Sequence, residues 1–161
     1  MNKIIQNEKI LMETIENLKA SGKTIVFTNG CFNLLHVGHI RSLKDAKNLG
    51  DVLIVGVNDD KSIEYLKRDK YPLIIPVEER MEILAALSMV DYVIRFSELS
   101  ADNLLLKIRP QIYAKGTDYT KDSVPERDTV LSYGGEIEIV GDPKEHSVTE
   151  LFNILGRQKG A

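Results

Sequence analysis

A single cysteine, Cys31, stands in 161 residues. That excludes a disulfide framework and makes a reducing cytoplasm the expected home. No apolar run approaches the ~18 residues a membrane-spanning helix needs. The opening stretch MNKIIQNEKILMETIENL is too polar for a signal peptide. Positive charge is not in excess either: 21 Lys+Arg face 24 Asp+Glu, a net charge of −3. A broad basic face for nucleic acid is therefore not expected. Repeats, low-complexity tracts and Pro/Gly/Ser-rich linkers are missing as well. At about 150 residues per domain, the length argues for one domain with a real hydrophobic core. The apolar share of 43% and charged share of 28% place the chain well away from disorder.

What is present is a change of hydrophobic period. Leu11, Ile15 and Leu18 recur at i, i+4 and i+7 before Gly22, the pattern of an amphipathic helix that packs on the domain or on a partner subunit. The organisation expected is this N-terminal helix over residues 1–22, then one domain over 23–161. Short β-rich runs follow at 24–28, 52–57, 92–94, 112–114 and 137–140. The second of them is apolar throughout, as in a strand buried on both faces. Helical patterns lie between and after them: His39 to Leu49, Glu78 to Leu87, Ala101 to Ile108 with Ser100 as a possible cap, and Val148 to Leu155. This alternation predicts an α/β fold, a single Rossmann-like, doubly wound, parallel five-stranded sheet with an extra N-terminal helix. Ligands of such sheets sit beyond the carboxyl ends of the strands, where strand order reverses. The residues just after each strand are therefore the candidates for chemistry.

After the first run comes Asn29-Gly30-Cys31-Phe32-Asn33-Leu34-Leu35-His36-Val37-Gly38-His39. Histidines three apart share one face of a helix's first turn. Gly38 between them leaves room for a close ligand, and the N–H groups at a helix start attract an anion. A phosphate that gains charge during reaction needs donors in that arrangement. A half metal site is the competing reading, but catalytic zinc takes three protein ligands and the remaining histidine, His146, is far along the chain. Two structural histidines at a helix start are another. Cys31 near His36 raises a Cys–His nucleophile; a lone cysteine at a strand end is more often a small buried hydrophobe.

The other strand ends carry weaker signals. Asn58-Asp59-Asp60 holds either ligand contacts or a helix cap at Asp59 or Asp60. Lys67-Arg68-Asp69-Lys70 is a basic, Pro-bounded loop, and charge runs are usually solvated. Arg80 opens an apolar helical stripe and has Glu78 and Glu79 as possible surface partners. In Lys115-Gly116-Thr117-Asp118-Tyr119, Gly116 admits a close base or ribose, Thr117 and Asp118 can hydrogen-bond it, and Tyr119 offers a flat wall; the same residues also suit a plain turn. Ser147 with Glu150 forms a capping box, and that helix start would also present N–H groups and the Ser147 and Thr149 hydroxyls to a phosphate. His146 stands just before it.

In register, these stretches resemble the cytidylyltransferase-like nucleotidyltransferases, whose signature is usually written Phe-Asp-x-Leu-His-x-Gly-His. Within that superfamily the chain is most similar to the heptose 1-phosphate adenylyltransferases. The likeness runs through Thr28 to His39, 50–58, 80–87, Arg109-Pro110, 115–119 and 146–149. Two departures stand out: Asn33 replaces the usual aspartate, and Tyr71 stands where the substrate loop usually has arginine before proline. The resemblance implies transfer of AMP from ATP to heptose 1-phosphate, giving an ADP-sugar and pyrophosphate, with Mg²⁺ bound by the triphosphate. It implies His36, His39, Lys67 and Arg80 as catalytic groups on the phosphates. Nucleotide contacts would come from Thr28, Asn29, Gly30, Cys31, Phe32, Gly38, His39, Lys115, Gly116, Asp118, Ser147, Val148 and Thr149. Acceptor contacts would come from Asn33, Asn58, Asp59, Lys67, Lys70 and Arg80. No protein-held metal is implied, and a homodimer acting on small molecules is expected, away from nucleic acid and membrane. Alternatives are a glycerol-3-phosphate-type cytidylyltransferase using CTP, an FAD-synthetase-like enzyme, a nucleotide-sensing module without catalysis, and a Cys31-dependent hydrolase.

Overall fold

The computed structural model of the chain describes residues 2–67, 69–143 and 147–157. Arg68 and His146 lie outside them. Five parallel strands form one sheet in the order β3-β2-β1-β4-β5: β1 (Ile25–Gly30), β2 (Val52–Asn58), β3 (Tyr92–Phe96), β4 (Ile112–Gly116) and β5 (Glu136–Val140). The chain lays β2 and β3 outward on one side of β1, then returns to place β4 on the other. The order reverses between β1 and β4, and the expected crevice opens there.

Burial explains the strands. Every residue of β2 is buried, so its uninterrupted apolar run has two faces to satisfy. One face packs on α1 (Glu8–Ala20), α5 (Asp102–Ile108) and α6 (Arg127–Ser132), through Leu11, Ile15, Leu104, Leu105, Ile108 and Val130. The other packs on α2 (Val37–Lys47) and α4 (Val77–Ala85), through Leu43, Ala46, Val77, Met81 and Leu84. The fold is thus doubly wound, as its alternation predicts. The stripe of α1 docks on this chain's own core: Leu11 and Ile15 are buried, and Leu18 packs beside them. Asn7 caps the start of α1 by accepting from Ile10 N–H at 3.0 Å, and Gly22, at φ +69°, turns the chain away after its end.

Two helices enlarge the sequence reading. α3 (Asp60–Lys67) begins where Asp59 or Asp60 was a candidate cap, and Asp59 is the residue that caps it, accepting from Ser62 N–H at 2.9 Å. α6 is short and has no clear sequence period. Ser100 does not cap α5; its hydroxyl donates instead to Asp102 Oδ2 at 2.7 Å, and Ala101 occupies the cap position. The last helix, α7 (Val148–Arg157), has no buried residue, consistent with an element lying over the domain. Ser147 Oγ accepts from Glu150 N–H at 3.0 Å, the capping bond expected at its start.

Candidate active site

A cavity of about 740 Å³ opens at the carboxyl ends of β1 and β4. This lies within the roughly 300–1,000 Å³ range of small-molecule sites. Its floor is the β1 end, where Asn29, Gly30 and Cys31 lead into a sharp turn. Phe32 makes that turn with φ +50°, a left-handed conformation rarely adopted by a bulky residue. The turn buries the Phe32 ring against the His39 ring, with centroids 5.4 Å apart. Together these contacts fix the direction in which α2 leaves the sheet.

The start of α2 is built from its two histidines. His36 Nδ1 accepts the Gly38 N–H at 3.1 Å, and His39 Nδ1 accepts the His36 N–H at 3.2 Å. Each imidazole therefore caps the helix backbone with one nitrogen. An Nδ1 that accepts must be deprotonated, so the neutral ring carries its proton on Nε2, at the opposite edge. The rings lie 3.9 Å apart, centroid to centroid. Burial, with the neighbouring His36 second, pushes the His39 pKa down to about 4. At neutral pH His39 is an uncharged donor beside a helix N-terminus, suited to phosphate oxygens.

Around this pair stand the other groups expected at the nucleotide. Gly38, Lys115, Gly116, Asp118, Ser147, Val148 and Thr149 all border the cavity. A side chain on Gly116 would meet open space there, so the backbone is approachable. Thr117 Oγ1 donates to Asp142 O at 2.9 Å, and Arg41 pairs with Asp142 at 2.7 Å, which ties the loops after β4 and β5 to α2. Lys115 stands over the Tyr113 and Tyr119 rings at 5.6 and 5.0 Å. Burial lowers its pKa, while Glu126, Cys31 and Asp118 oppose that shift.

The residues expected at the acceptor fall into two groups. Asn58, Lys67 and Lys70 border the cavity, with Lys67 as the last residue of α3. Asn33 also borders it, yet its side chain is committed elsewhere. Its Nδ2 donates to Pro72 O at 2.8 Å, and its Oδ1 accepts from Ile74 N–H at 2.9 Å and Ile75 N–H at 3.3 Å. Asn33 thus positions the 72–75 segment rather than presenting its amide to a ligand. An aspartate could take the two N–H groups but could not donate to Pro72, which gives a physical use for the amide. Tyr71, just before, lies flat on Phe152 of α7, with rings 5.2 Å apart at 3°. This links the segment to the last helix.

Three of the expected residues do not line this cavity. Arg80 is 1% exposed and does not face the cavity. Its Nε donates to Ile75 O at 2.8 Å, its Nη1 to Cys31 O at 2.6 Å and Asn58 O at 2.7 Å, and its Nη2 to Asp60 at 2.7 Å. It is a buried fastener joining the ends of β1 and β2 to the start of α3. Helix period alone does not distinguish an arginine facing a ligand from one reaching inward. Asp59 is occupied with capping α3 and borders a different cleft, beside β3. Thr28 sits within β1, opposite Val55, one residue short of the cavity. Cys31 does border the cavity, but burial pushes its thiol pKa up despite Lys67, Arg80 and Lys115, the opposite of nucleophile activation.

Sequence reading missed several wall residues: Arg41 and Ser42 on α2, Leu66 on α3, Leu99 and Ser100 after β3, Pro125 and Glu126 before α6, and Asp142 and Pro143 after β5. Position at a strand's carboxyl end could have found Leu99, Ser100, Asp142 and Pro143. Glu126 lies between β4 and α6, in a segment with no periodic signal.

Comparison with known proteins identifies the family. The family model described as cytidylyltransferase-like matches residues 27–149. The bifunctional protein HldE of Geobacter sulfurreducens is 48% identical over 156 residues, covering 97% of this chain and 32% of that protein. The protein of the same name from Pseudomonas paraeruginosa is 44% identical over 150 residues, covering 93% and 31%. The chain spans about a third of the length of these relatives. Among solved structures, a lipopolysaccharide core biosynthesis protein from Thermoplasma volcanium superposes with a TM-score of 0.61 at 28% identity, covering 73% of this chain and 94% of that one. Pantoate-beta-alanine ligase from Francisella tularensis, complexed with beta-gamma ATP and beta-alanine, shares the fold with a TM-score of 0.62 at 19% identity, covering 95% of this chain and 73% of that one.

Proposed function

The chain belongs to the cytidylyltransferase-like family, and from that premise we propose that it transfers AMP from ATP to a sugar 1-phosphate, heptose 1-phosphate. An oxygen of the sugar phosphate attacks the α-phosphorus; the new O–P bond forms as the bond to the β-phosphate oxygen breaks. The products are an ADP-sugar and pyrophosphate. The observation that carries this reading is the mutual capping of His36 and His39, which holds two neutral Nε2–H donors beside a helix N-terminus. In-line displacement needs no protein nucleophile. It needs positioning and donors for the charge that develops.

In this reading the α2 start and the Ser147 and Thr149 hydroxyls hold the triphosphate, while Lys67 and Lys70 attend the reacting phosphates. Arg80 and Asn33 act behind them as positioning residues. Mg²⁺ fits as a companion of the triphosphate. The phosphate wall offers imidazole, ammonium and hydroxyl donors, and the described residues hold no cluster of three or more His, Cys, Asp or Glu able to bind a metal. Bound in that way, Mg²⁺ would neutralise phosphate charge.

No helix among the described residues is long and apolar enough to cross a membrane, and the reading keeps a cytoplasmic home. A homodimer would use a surface other than the α1 stripe, which is buried in the chain's own core. The test is pyrophosphate release from ATP or CTP with heptose 1-phosphate, glycerol 3-phosphate or FMN. Release is expected with ATP and heptose 1-phosphate; release only with another pair would replace this reading.

A further inference from the structure

Two pieces of the cavity wall, far apart in the chain, meet in a ring contact. The first is the segment that follows α3. Its start is fastened to the end of that helix, since the Lys70 and Tyr71 N–H groups donate to Lys67 O at 2.8 and 3.1 Å. Its far part is held by the Asn33 side chain, which bonds Pro72, Ile74 and Ile75. Between these anchors Lys67, Lys70 and Tyr71 border the cavity. The second piece is the start of α7, which brings Ser147, Val148 and Thr149 to the same cavity.

Tyr71 and Phe152 join the two. Their rings are almost parallel, at 3°, with centroids 5.2 Å apart, and both residues are half-buried. Burial, with Cys31 second, pushes the Tyr71 pKa up to about 12, so the ring is uncharged at neutral pH. No residue of α7 is buried. Surface contacts therefore position this helix, and the stack is the one that reaches the Lys67–Lys70 side. Phe152 itself does not border the cavity. Its influence on a ligand at that side runs through Tyr71.

In the transfer reading, Ser147 and Thr149 hold the triphosphate while Lys67 and Lys70 attend the reacting phosphates. A triphosphate that fixes the start of α7 also fixes Phe152, one helical turn beyond Thr149. Through the stack this restrains Tyr71, and with it the short segment that carries the two lysines. The acceptor then meets groups that are already ordered and binds more tightly. By linkage, the acceptor tightens the nucleotide by the same factor.

We propose that Tyr71 and Phe152 are positioning residues, their stack coupling the nucleotide half of the site to the acceptor half. This rests on the transfer reading above and adds the contact through which one substrate favours the other.

The test is calorimetric titration of the full chain, with Mg²⁺, by an ATP analogue carrying a methylene between its α- and β-phosphates, so that no transfer occurs. Affinity is measured with and without saturating heptose 1-phosphate. One aromatic pair can carry a coupling of roughly threefold to tenfold, so the sugar phosphate should tighten the analogue by at least that much in the wild type. Tyr71→Leu and Phe152→Leu should each remove that factor, and the double variant should remove no more than either alone. Tyr71→Phe keeps the ring and should keep the wild-type coupling. Thermal midpoints should hardly move. Unchanged coupling in folded Phe152→Leu protein would overturn the proposal. So would losses that add in the double variant, or a Tyr71→Phe protein that behaves as Tyr71→Leu, which would assign the effect to the hydroxyl. Failure of both leucine variants to fold would make the stack a folding element and overturn it too. Wild-type protein that releases pyrophosphate from ATP and heptose 1-phosphate yet shows no coupling would overturn it as well. Wild-type protein that releases none would overturn the transfer reading itself, a distinct result.

Discussion

His36 and His39 cap one helix turn together: each offers Nδ1 to a backbone N–H, at 3.1 and 3.2 Å, and their rings lie 3.9 Å apart. The same bonds that start α2 fix both tautomers and leave Nε2–H at the opposite ring edges. Fold and chemistry are joined at this point. His39→Ala is expected to lower the pyrophosphate-release rate on the order of 10²–10³-fold. ATP affinity, measured by titration calorimetry, should fall much less, because the lost donor serves developing charge more than ground-state binding.

The pH response of His39 has a definite sign. Its folded pKa of about 4 lies below the ordinary 6.5, so the unfolded chain binds the proton more readily. The stability this contributes is fully present above pH 6.5 and is lost as pH falls toward 4, by up to about 3 kcal/mol. Urea unfolding of wild type and His39→Asn at pH 7.5 and 4.5 should show the wild type losing more. The His39 donor should also contribute no inflection to the rate between pH 6 and 8.

Arg80 joins four backbone or side-chain acceptors from 2.6 to 2.8 Å inside the protein. Arg80→Met leaves Asp60 and three carbonyls without that partner. A loss on the order of 3–5 kcal/mol is expected in denaturant unfolding. Because the Cys31 and Asn58 carbonyls shape the cavity floor, the acceptor KM should rise in whatever protein remains folded.

Cys31 is the residue that separates the hydrolase alternative from nucleotidyl transfer. With its thiol pKa raised by burial, Cys31→Ser should retain turnover to within roughly tenfold, where loss of a true nucleophile costs several orders of magnitude. Pyrophosphate release by the serine variant measures this directly.

The strands were legible because β2 is apolar throughout and the β1 and β4 runs end in polar, glycine-containing turns; the doubly wound order follows from the alternation. The His36–His39 pair was legible because three-residue spacing at a helix start leaves few geometries. Arg80 was not, since an arginine in an otherwise apolar stripe reads the same whether it faces a ligand or reaches inward. Asp59 carried both a capping and a ligand reading, and its bond from Ser62 N–H shows the cap. Glu126 had no local pattern to mark it; only the meeting of the α5 and α6 starts brings it to the cavity wall.

The most direct test of nucleotidyl transfer follows the α-phosphate. The full chain is incubated with Mg²⁺, heptose 1-phosphate and ATP labelled in its α-phosphate, and the products are separated. The label should appear in an ADP-sugar, with an equal amount of unlabelled pyrophosphate, and only when the sugar phosphate is present. Label confined to ATP, or released as free AMP whether or not acceptor is added, would contradict it.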